Sequence, residues 1–298
     1  MHITDIKGLT TLRDLLRYGV SELNRSKAYF GHGSYSAWDE AVYLLLHTLD
    51  LPLDTLEPFL DAKVTDTEKK LYFDRINRRC NDKVPSAYIT GEAWLQGYRF
   101  YVDERVIIPR SPISELLAEQ LYPWVANPEE IESGLDLCTG SGCLAILMAI
   151  AFEHAHIDAV DLSSDALEIA NLNIQEYGLS QRVTTIQGDL FNALGKRKYQ
   201  IIVSNPPYVN MHSMGSLPKE YSYEPDIALR GGMDGMDTVR QILKNAPHYL
   251  HDEGILILEI GNEYDNFIKA FPNLEALWLS TEAADNQIMM LTKDQLLK

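Results

Sequence analysis

The sequence predicts an α/β fold: a mostly parallel, Rossmann-like sheet with an antiparallel edge, preceded by a small N-terminal helical domain. Three observations predict it. Short apolar runs at 134–137, 157–161, 183–188, 200–204 and 254–260 alternate with helical segments, the pattern of a parallel sheet with crossover helices. A glycine loop, Gly140 to Gly142, follows the first run and opens a helix. Residues from about 8 to 84 carry apolar side chains at helical spacing.

Taken in order, Leu12, Leu15, Leu16 and Val20 mark a first helix, and Val42, Leu45, Leu46 and Leu49 a second. Thr65 and Glu68 have the spacing of a capping box ahead of Leu71, Phe73 and Ile76. Lys69, Lys70, Arg75, Arg78, Arg79 and Lys83 give that third helix a basic face, expected to be solvated, with weak RNA contact as the functional alternative. Apolar runs on both sides of Asp103 and Glu104 predict a hairpin over 99–108. After the polar stretch 126–133 the strand–helix alternation begins, and 276–279 with 287–291 supply the antiparallel edge. The expected division is a helical substrate-recognition domain over 1–95, a linking hairpin over 96–110 and a catalytic domain over 111–298.

With 298 residues, 46% of them hydrophobic, the chain can bury two cores. It has no run of 18 apolar residues, and Met1 to Asp5 lack a basic-then-apolar leader pattern, so a cytoplasmic location is expected. Cys80, Cys138 and Cys143 provide neither a disulfide framework nor zinc spacing, and no metal is expected. The net charge of −17 is uneven: 111–298 carries 11 Lys/Arg against 27 Asp/Glu. A surface of that sign repels phosphate backbones and attracts basic proteins, which disfavours duplex DNA as a substrate.

The stretch Gly140-x-Gly142-x-x-Ala145 sits between a strand and a helix, with Asp161 at the end of the next strand, 19 positions after Gly142. Glycines there let backbone approach a ligand, and the strand-ending acid can accept both ribose hydroxyls. Two features favour S-adenosyl-L-methionine (SAM) over a dinucleotide. Asp136 precedes the loop, where a carboxylate could reach a cationic ammonium and would repel a pyrophosphate. Asp189, followed by Leu190 and Phe191, ends the third strand, offering an acceptor for an adenine amino group and an apolar wall. The loop, Asp161, Asp189 and Asn205 all fall at carboxyl ends of strands, where ligands bind in open α/β sheets.

Asn205-Pro206-Pro207-Tyr208 follows the fourth strand. Two prolines cannot continue a ladder, so a stiff elbow forms with carbonyls that no strand uses. An amide, those carbonyls and an aromatic ring suit a planar group bearing an NH2. Methyl transfer needs that nitrogen's lone pair in line with the S–CH3 bond. Asn205 Oδ1 and the Pro206 carbonyl can hold its N–H bonds while Tyr208 packs on the plane, so catalysis would rest on orientation and fixed dipoles. Glu224-Pro225 and the glycine-rich 230–235 stretch look like a loop at the entrance to the site, with a role that the residues leave open.

The segments Asp136 to Gly142, Asn205 to Tyr208 and Ile108-Pro109-Arg110 together resemble the HemK/Prm family of protein glutamine N(5)-methyltransferases, over nearly the whole chain. The resemblance implies a class I SAM-dependent methyltransferase fold, with S-adenosylhomocysteine as product. It implies cofactor binding by Cys138, Thr139, Gly140, Ser141 and Gly142, by Asp161 with Leu162, by Asp189 with Leu190, and by Asn205. It places the substrate glutamine on Asn205, Pro206, Pro207 and Tyr208. Family members acting on peptide-chain release factors usually show Pro-Arg-Pro-Glu-Thr-Glu; here Pro109, Arg110, Ser111, Pro112, Ile113 and Ser114 stand instead. The stretches 29–34 and 37–41 are similar to the branch that methylates a glutamine of the third large-subunit ribosomal protein, a basic partner. Release factors and DNA amino groups remain the alternative substrates.

Overall fold

A computed structural model describes residues 8–298; the Met1–Asp5 stretch read above for a leader pattern lies outside them. The chain divides into two units, one ending at Glu92 and including Pro218–Tyr223, the other made of Ala93–Leu217 and Glu224–Lys298. The expected division was continuous in sequence. The structure instead gives the helical unit a short segment from between the elbow and Glu224.

In the helical unit, α1 (Leu12–Ser26) and α3 (Asp66–Asn77) each begin on a capping box, Thr11 with Asp14 and Thr65 with Glu68. Two N–H groups that lack helical partners are satisfied at each start. α2 (Ala37–Thr48) is capped by Ser36 and buries Leu44, Leu45 and Leu46; α4 (Ser86–Thr90) completes the unit's α-helices among the described residues. α3 buries Tyr72, Phe73 and Ile76, whereas Leu71 is exposed, one position off the expected stripe. Past α3 the chain continues as a single π-turn, Arg78–Asp82. Arg79 lies in that turn and is buried, donating to Glu40 Oε1 at 2.6 Å, Glu220 Oε1 at 3.0 Å and the Tyr29 carbonyl at 2.6 Å. Arg75 donates to Thr48 Oγ1 and Lys83 to the Ser26 carbonyl. The basic face is therefore only partly solvated: half of its cations serve the unit's own interior and turns.

From the last residue of the first unit into the second, β1 (Glu92–Leu95) and β2 (Tyr98–Tyr101) are joined by Gln96 and Gly97, both in the left-handed region. Positive φ at both central residues suits a two-residue hairpin turn. This corrects the hairpin expected about Asp103 and Glu104. There Asp103 accepts from the Arg105 backbone N–H and guanidinium, which bends the chain, and the Ile108 N–H goes to the Glu224 side chain instead of a ladder.

Seven further strands, β3 (Ser133–Leu137), β4 (His156–Asp161), β5 (Val183–Gln187), β6 (Tyr199–Ser204), β7 (Leu250–Glu259), β8 (Leu277–Leu279) and β9 (Ile288–Thr292), form one sheet. Their order is β5-β4-β3-β6-β7-β9-β8, parallel through β7 and antiparallel where β9 meets its two neighbours. The expected mostly parallel sheet with an antiparallel edge is what forms. Its helices are α5 (Ile113–Ala118), α6 (Cys143–Ala151), α7 (Ser164–Glu176), α8 (Met211–Met214), α9 (Asp226–Leu229), α10 (Asp237–Tyr249), α11 (Tyr264–Ala270) and α12 (Lys293–Leu296). On one side, Val239, Ile242 and Ala246 of α10 pack with Leu135, Ile202 and Leu256 in a continuous core. The chain runs outward through β4 and β5, then returns to place β6 beside β3. Connections leave in opposite directions there, opening a crevice at the carboxyl ends of β3 and β6. Among the described residues, no helix is long and apolar enough to cross a membrane.

Candidate functional site

The glycine loop leaves β3 with Cys138, Gly140 and Gly142 all at positive φ. A Cβ on Gly140 would meet nothing within 4 Å, so only its φ of +56° demands glycine. On Gly142 a Cβ would lie 3.1 Å from Ala170 Cβ, so glycine also permits the approach of α7. Thr139 N donates to the Val160 carbonyl, and its hydroxyl donates to Asp136 Oδ2 at 2.6 Å. The Ala145 N–H, in the first turn of α6, donates to that same oxygen at 3.0 Å. Asp136 is thus a buried brace between loop and helix, and the cleft described below is lined without it. Its Oδ1 is sealed from solvent without a hydrogen-bond partner, and burial pushes its pKa up to about 7. Asn173 of α7 holds the outer side of the loop, donating to the Ser141 carbonyl at 2.9 Å and to the Tyr101 carbonyl at 3.1 Å.

A cleft of about 380 Å³ opens at the carboxyl ends of the strands. Cys138, Gly140, Asp161, Leu162, Asp189, Leu190, Asn205 and Pro207 line it, from the ends of β3, β4, β5 and β6. Four segments far apart in sequence therefore meet at one cleft. Thr139, Ser141 and Gly142 do not line it and instead shape the loop that does. Asp161 Oδ2 accepts from the Gly140 N–H and Oδ1 from the Ser163 N–H, both at 2.9 Å. Each oxygen keeps a lone pair, enough to accept two vicinal hydroxyls. Burial raises the Asp161 pKa, opposed by those backbone donors. The Cys138 thiol is driven up by burial and by the Asp161 and Asp136 charges, so it remains a neutral wall. Two carboxylates, one amide and the apolar faces of Leu162, Leu190 and Ile227 fit a nucleoside with a cationic tail. Among the described residues no group of three His, Cys, Asp or Glu could hold a metal ion.

The elbow is held from behind. Asn205, Pro207 and Tyr208 are half-buried and Pro206 is buried. The Tyr208 hydroxyl donates to Glu259 Oε1 at 2.8 Å, while the Ser111 hydroxyl donates to Glu259 Oε2 at 2.5 Å. A Cβ on Gly261 would lie 2.4 Å from the Tyr208 ring. The 230–235 loop, whose role the sequence left open, lies against the elbow's backbone. A Cβ on Gly231 would come within 2.6 Å of the Tyr208 main chain, and one on Gly235 within 2.3 Å of its carbonyl oxygen. Val209 N–H donates to the Leu229 carbonyl, and Gly231 N–H to the Val209 carbonyl. Arg110 grips Glu224 with both guanidinium nitrogens, at 2.5 and 2.8 Å, and so fixes the approach to Pro225 at the cleft wall.

Sequence reasoning placed Glu224 at the site entrance without its partner Arg110, and missed Asn173 and Glu259 as supporting residues. A carboxylate ending the apolar run of β7 was the available signal for Glu259; Asn173, inside an ordinary helix, gave none.

A family model described as "Methyltransferase small domain" matches residues 113–217. The chain is 59% identical to a "Ribosomal protein uL3 glutamine methyltransferase" of Bordetella pertussis, over 97% of each chain. It is 53% identical to a protein of the same name from Burkholderia pseudomallei, over 96% of this chain and 95% of that one. For the Neisseria gonorrhoeae protein of that name the identity is 52%, covering 97% and 96%. Among solved structures, the hMettl16 catalytic domain bound to an RNA hairpin resembles it with a TM-score of 0.50 at 11% identity, covering 76% of this chain and 81% of that one. At that identity the likeness is one of fold.

Proposed function

The chain belongs to the family of ribosomal protein uL3 glutamine methyltransferases, and on that premise we propose that it methylates the side-chain amide nitrogen of a glutamine in uL3, with SAM as donor. The observation that carries the reading is the single cleft in which the glycine loop, Asp161, Asp189 and Asn205 meet beside a proline elbow.

When bound, SAM supplies a methyl group made electrophilic by its sulfonium. Asp161 would accept the ribose hydroxyls, Asp189 the adenine amino group, and Leu162 and Leu190 would cover the ring. The excess of 27 Asp/Glu over 11 Lys/Arg in 111–298 favours a basic protein as substrate. An amide nitrogen is a weak nucleophile because its lone pair is delocalised. Asn205 Oδ1 and the Pro206 carbonyl would take its two N–H bonds and turn the lone pair toward the cleft, while Tyr208 packs on the amide plane. Such fixed acceptors act by orientation and need no strong base; the proton leaves after transfer, when the nitrogen has become acidic. The helical unit would recognise the substrate protein. Any weak RNA contact would fall on its exposed cations, Lys70 and Arg78.

The test is intact mass and fragmentation of uL3 after incubation with SAM and either the wild type or Asn205→Ala. One added methyl on one glutamine side chain is expected with the wild type. Asn205→Ala should lose transfer by far more than it loses SAM affinity. Label entering a release factor or DNA while uL3 stays unmodified would overturn the substrate.

A further inference from the structure

Glu259 ends β7 beside the elbow, yet nothing in the reaction described above uses it. It is 3% exposed and accepts from two hydroxyls on opposite oxygens, Tyr208 on Oε1 and Ser111 on Oε2. We propose that Glu259 is a positioning residue for methyl transfer: its carboxylate holds the Tyr208 ring in the amide-binding elbow and ties it to the 109–112 segment through Ser111. The inference rests on the proposed glutamine site.

The physical basis is acceptor capacity. An ionised carboxylate only accepts, so both hydroxyl protons can point at it together. Once protonated, one of its oxygens becomes a donor, and one of the two hydroxyls must turn its own proton away and accept instead. The seat of Tyr208 then depends on the charge of Glu259. The ring has little freedom to compensate, because Gly261 lies against its edge and the 230–235 loop against its backbone. Burial raises the Glu259 pKa to about 7; the Ser111 and Tyr208 hydrogen bonds and the Arg110 charge oppose the rise. Arg110 is itself paired with Glu224, which keeps the guanidinium from neutralising Glu259 fully. Tyr208 is thus coupled to a group that burial makes readier to take up a proton than an ordinary carboxylate.

The test uses the full chain with tyrosines labelled at the ring carbon bearing oxygen, followed by carbon NMR against pH without substrate. The Tyr208 signal is the one that Tyr208→Phe removes. It should move with a midpoint near pH 7 in the wild type and stay still in Glu259→Gln. With SAM and uL3, Glu259→Gln should lower kcat about tenfold to a hundredfold, the range for loss of orientation, with KM for SAM within twofold. The wild-type fall in kcat below pH 7 should disappear in that variant. Should Glu259→Gln not fold, Ser111→Ala and Tyr208→Phe serve: the first should shift the NMR midpoint, and the second should flatten the low-pH limb of kcat. A wild-type Tyr208 signal that ignores pH, or a folded Glu259→Gln with wild-type kcat, overturns the proposal. If the wild type leaves uL3 unmodified, the proposed function fails, while the NMR titration still decides the role of Glu259.

Discussion

Arg79 offers a direct test of what holds the helical unit together. It balances two buried carboxylates, Glu40 and Glu220, with side chains 2–4% exposed. Burial works against its charge but is outweighed, Glu40 contributing most, and its pKa is raised. Arg79→Met keeps most of the aliphatic volume and removes three donor contacts, leaving two carboxylates without their cation. Losing one partner of a buried ion pair costs about 3–5 kcal/mol, a large part of the roughly 5–15 kcal/mol that holds a domain folded. Glu220→Gln is the control. Its amide oxygen can still accept from Arg79 and the Tyr29 N–H, and the triad becomes neutral, so about 1 kcal/mol is expected. Urea unfolding followed by far-UV circular dichroism separates the two. The pH dependence should also differ. For Glu220 burial raises the pKa, but the Tyr29 N–H and Arg79 outweigh it, and the folded value lies below the ordinary one. Its contribution is therefore full above the unfolded pKa of about 4.3 and lost as pH falls through the lower folded value. Without Arg79 the carboxylates should take up protons more readily, so the Met variant should gain stability between pH 7 and 5 relative to wild type. A loss under 1 kcal/mol at unchanged m-value would refute the reasoning.

Asp161→Ala should weaken SAM binding about tenfold to a hundredfold, the equivalent of one to two lost hydrogen bonds to a charged acceptor; calorimetry showing less than a threefold change would remove Asp161 from the site. Gly235→Ala puts a methyl 2.3 Å from the Tyr208 carbonyl at a φ of +81°, and kcat should fall at least about tenfold from the displaced elbow, whereas unchanged kcat would show that the loop yields freely. Asp136 has its folded pKa raised to about 7 by burial, above an unfolded value of about 3.9; its contribution is full below pH 4 and lost as pH rises through 7. Asp136→Asn, neutral throughout, should lose less stability between pH 5 and 8 than wild type, and identical urea midpoint shifts would contradict this.

The fold was legible because its signals are local. Period-2 and 3.6 patterns, the capping box at Thr65 and Glu68, and glycines after an apolar run all follow from a few adjacent residues. The misplaced hairpin shows the limit. Val106 to Ile108 have the composition of a strand, but Asp103 engages Arg105, and the distant Glu224 takes the Ile108 N–H. Arg79 misled for a related reason. In sequence it belongs to a basic run, and only the π-turn and two acids 39 and 141 positions away turn it inward.

The site divides along the same line. Residues that face the cleft announce themselves by type and by their place at strand ends, as Gly140, Asp161, Asp189 and Asn205 do. Residues that hold those in place do not, since a hydrogen-bonding side chain can come from any element the fold brings near. Tyr208 depends on Glu259, 51 positions on, and through it on Ser111, 148 positions before Glu259. Asp136 shows the converse, a candidate ligand residue that also serves the fold. Its type and spacing suit a ligand, and the Ala145 N–H at the start of α6 and the Thr139 hydroxyl both take its Oδ2, so it braces the loop as well. Asp161, on the cleft wall, accepts from the Gly140 and Ser163 N–H groups on its two oxygens and keeps acceptor capacity toward the cleft.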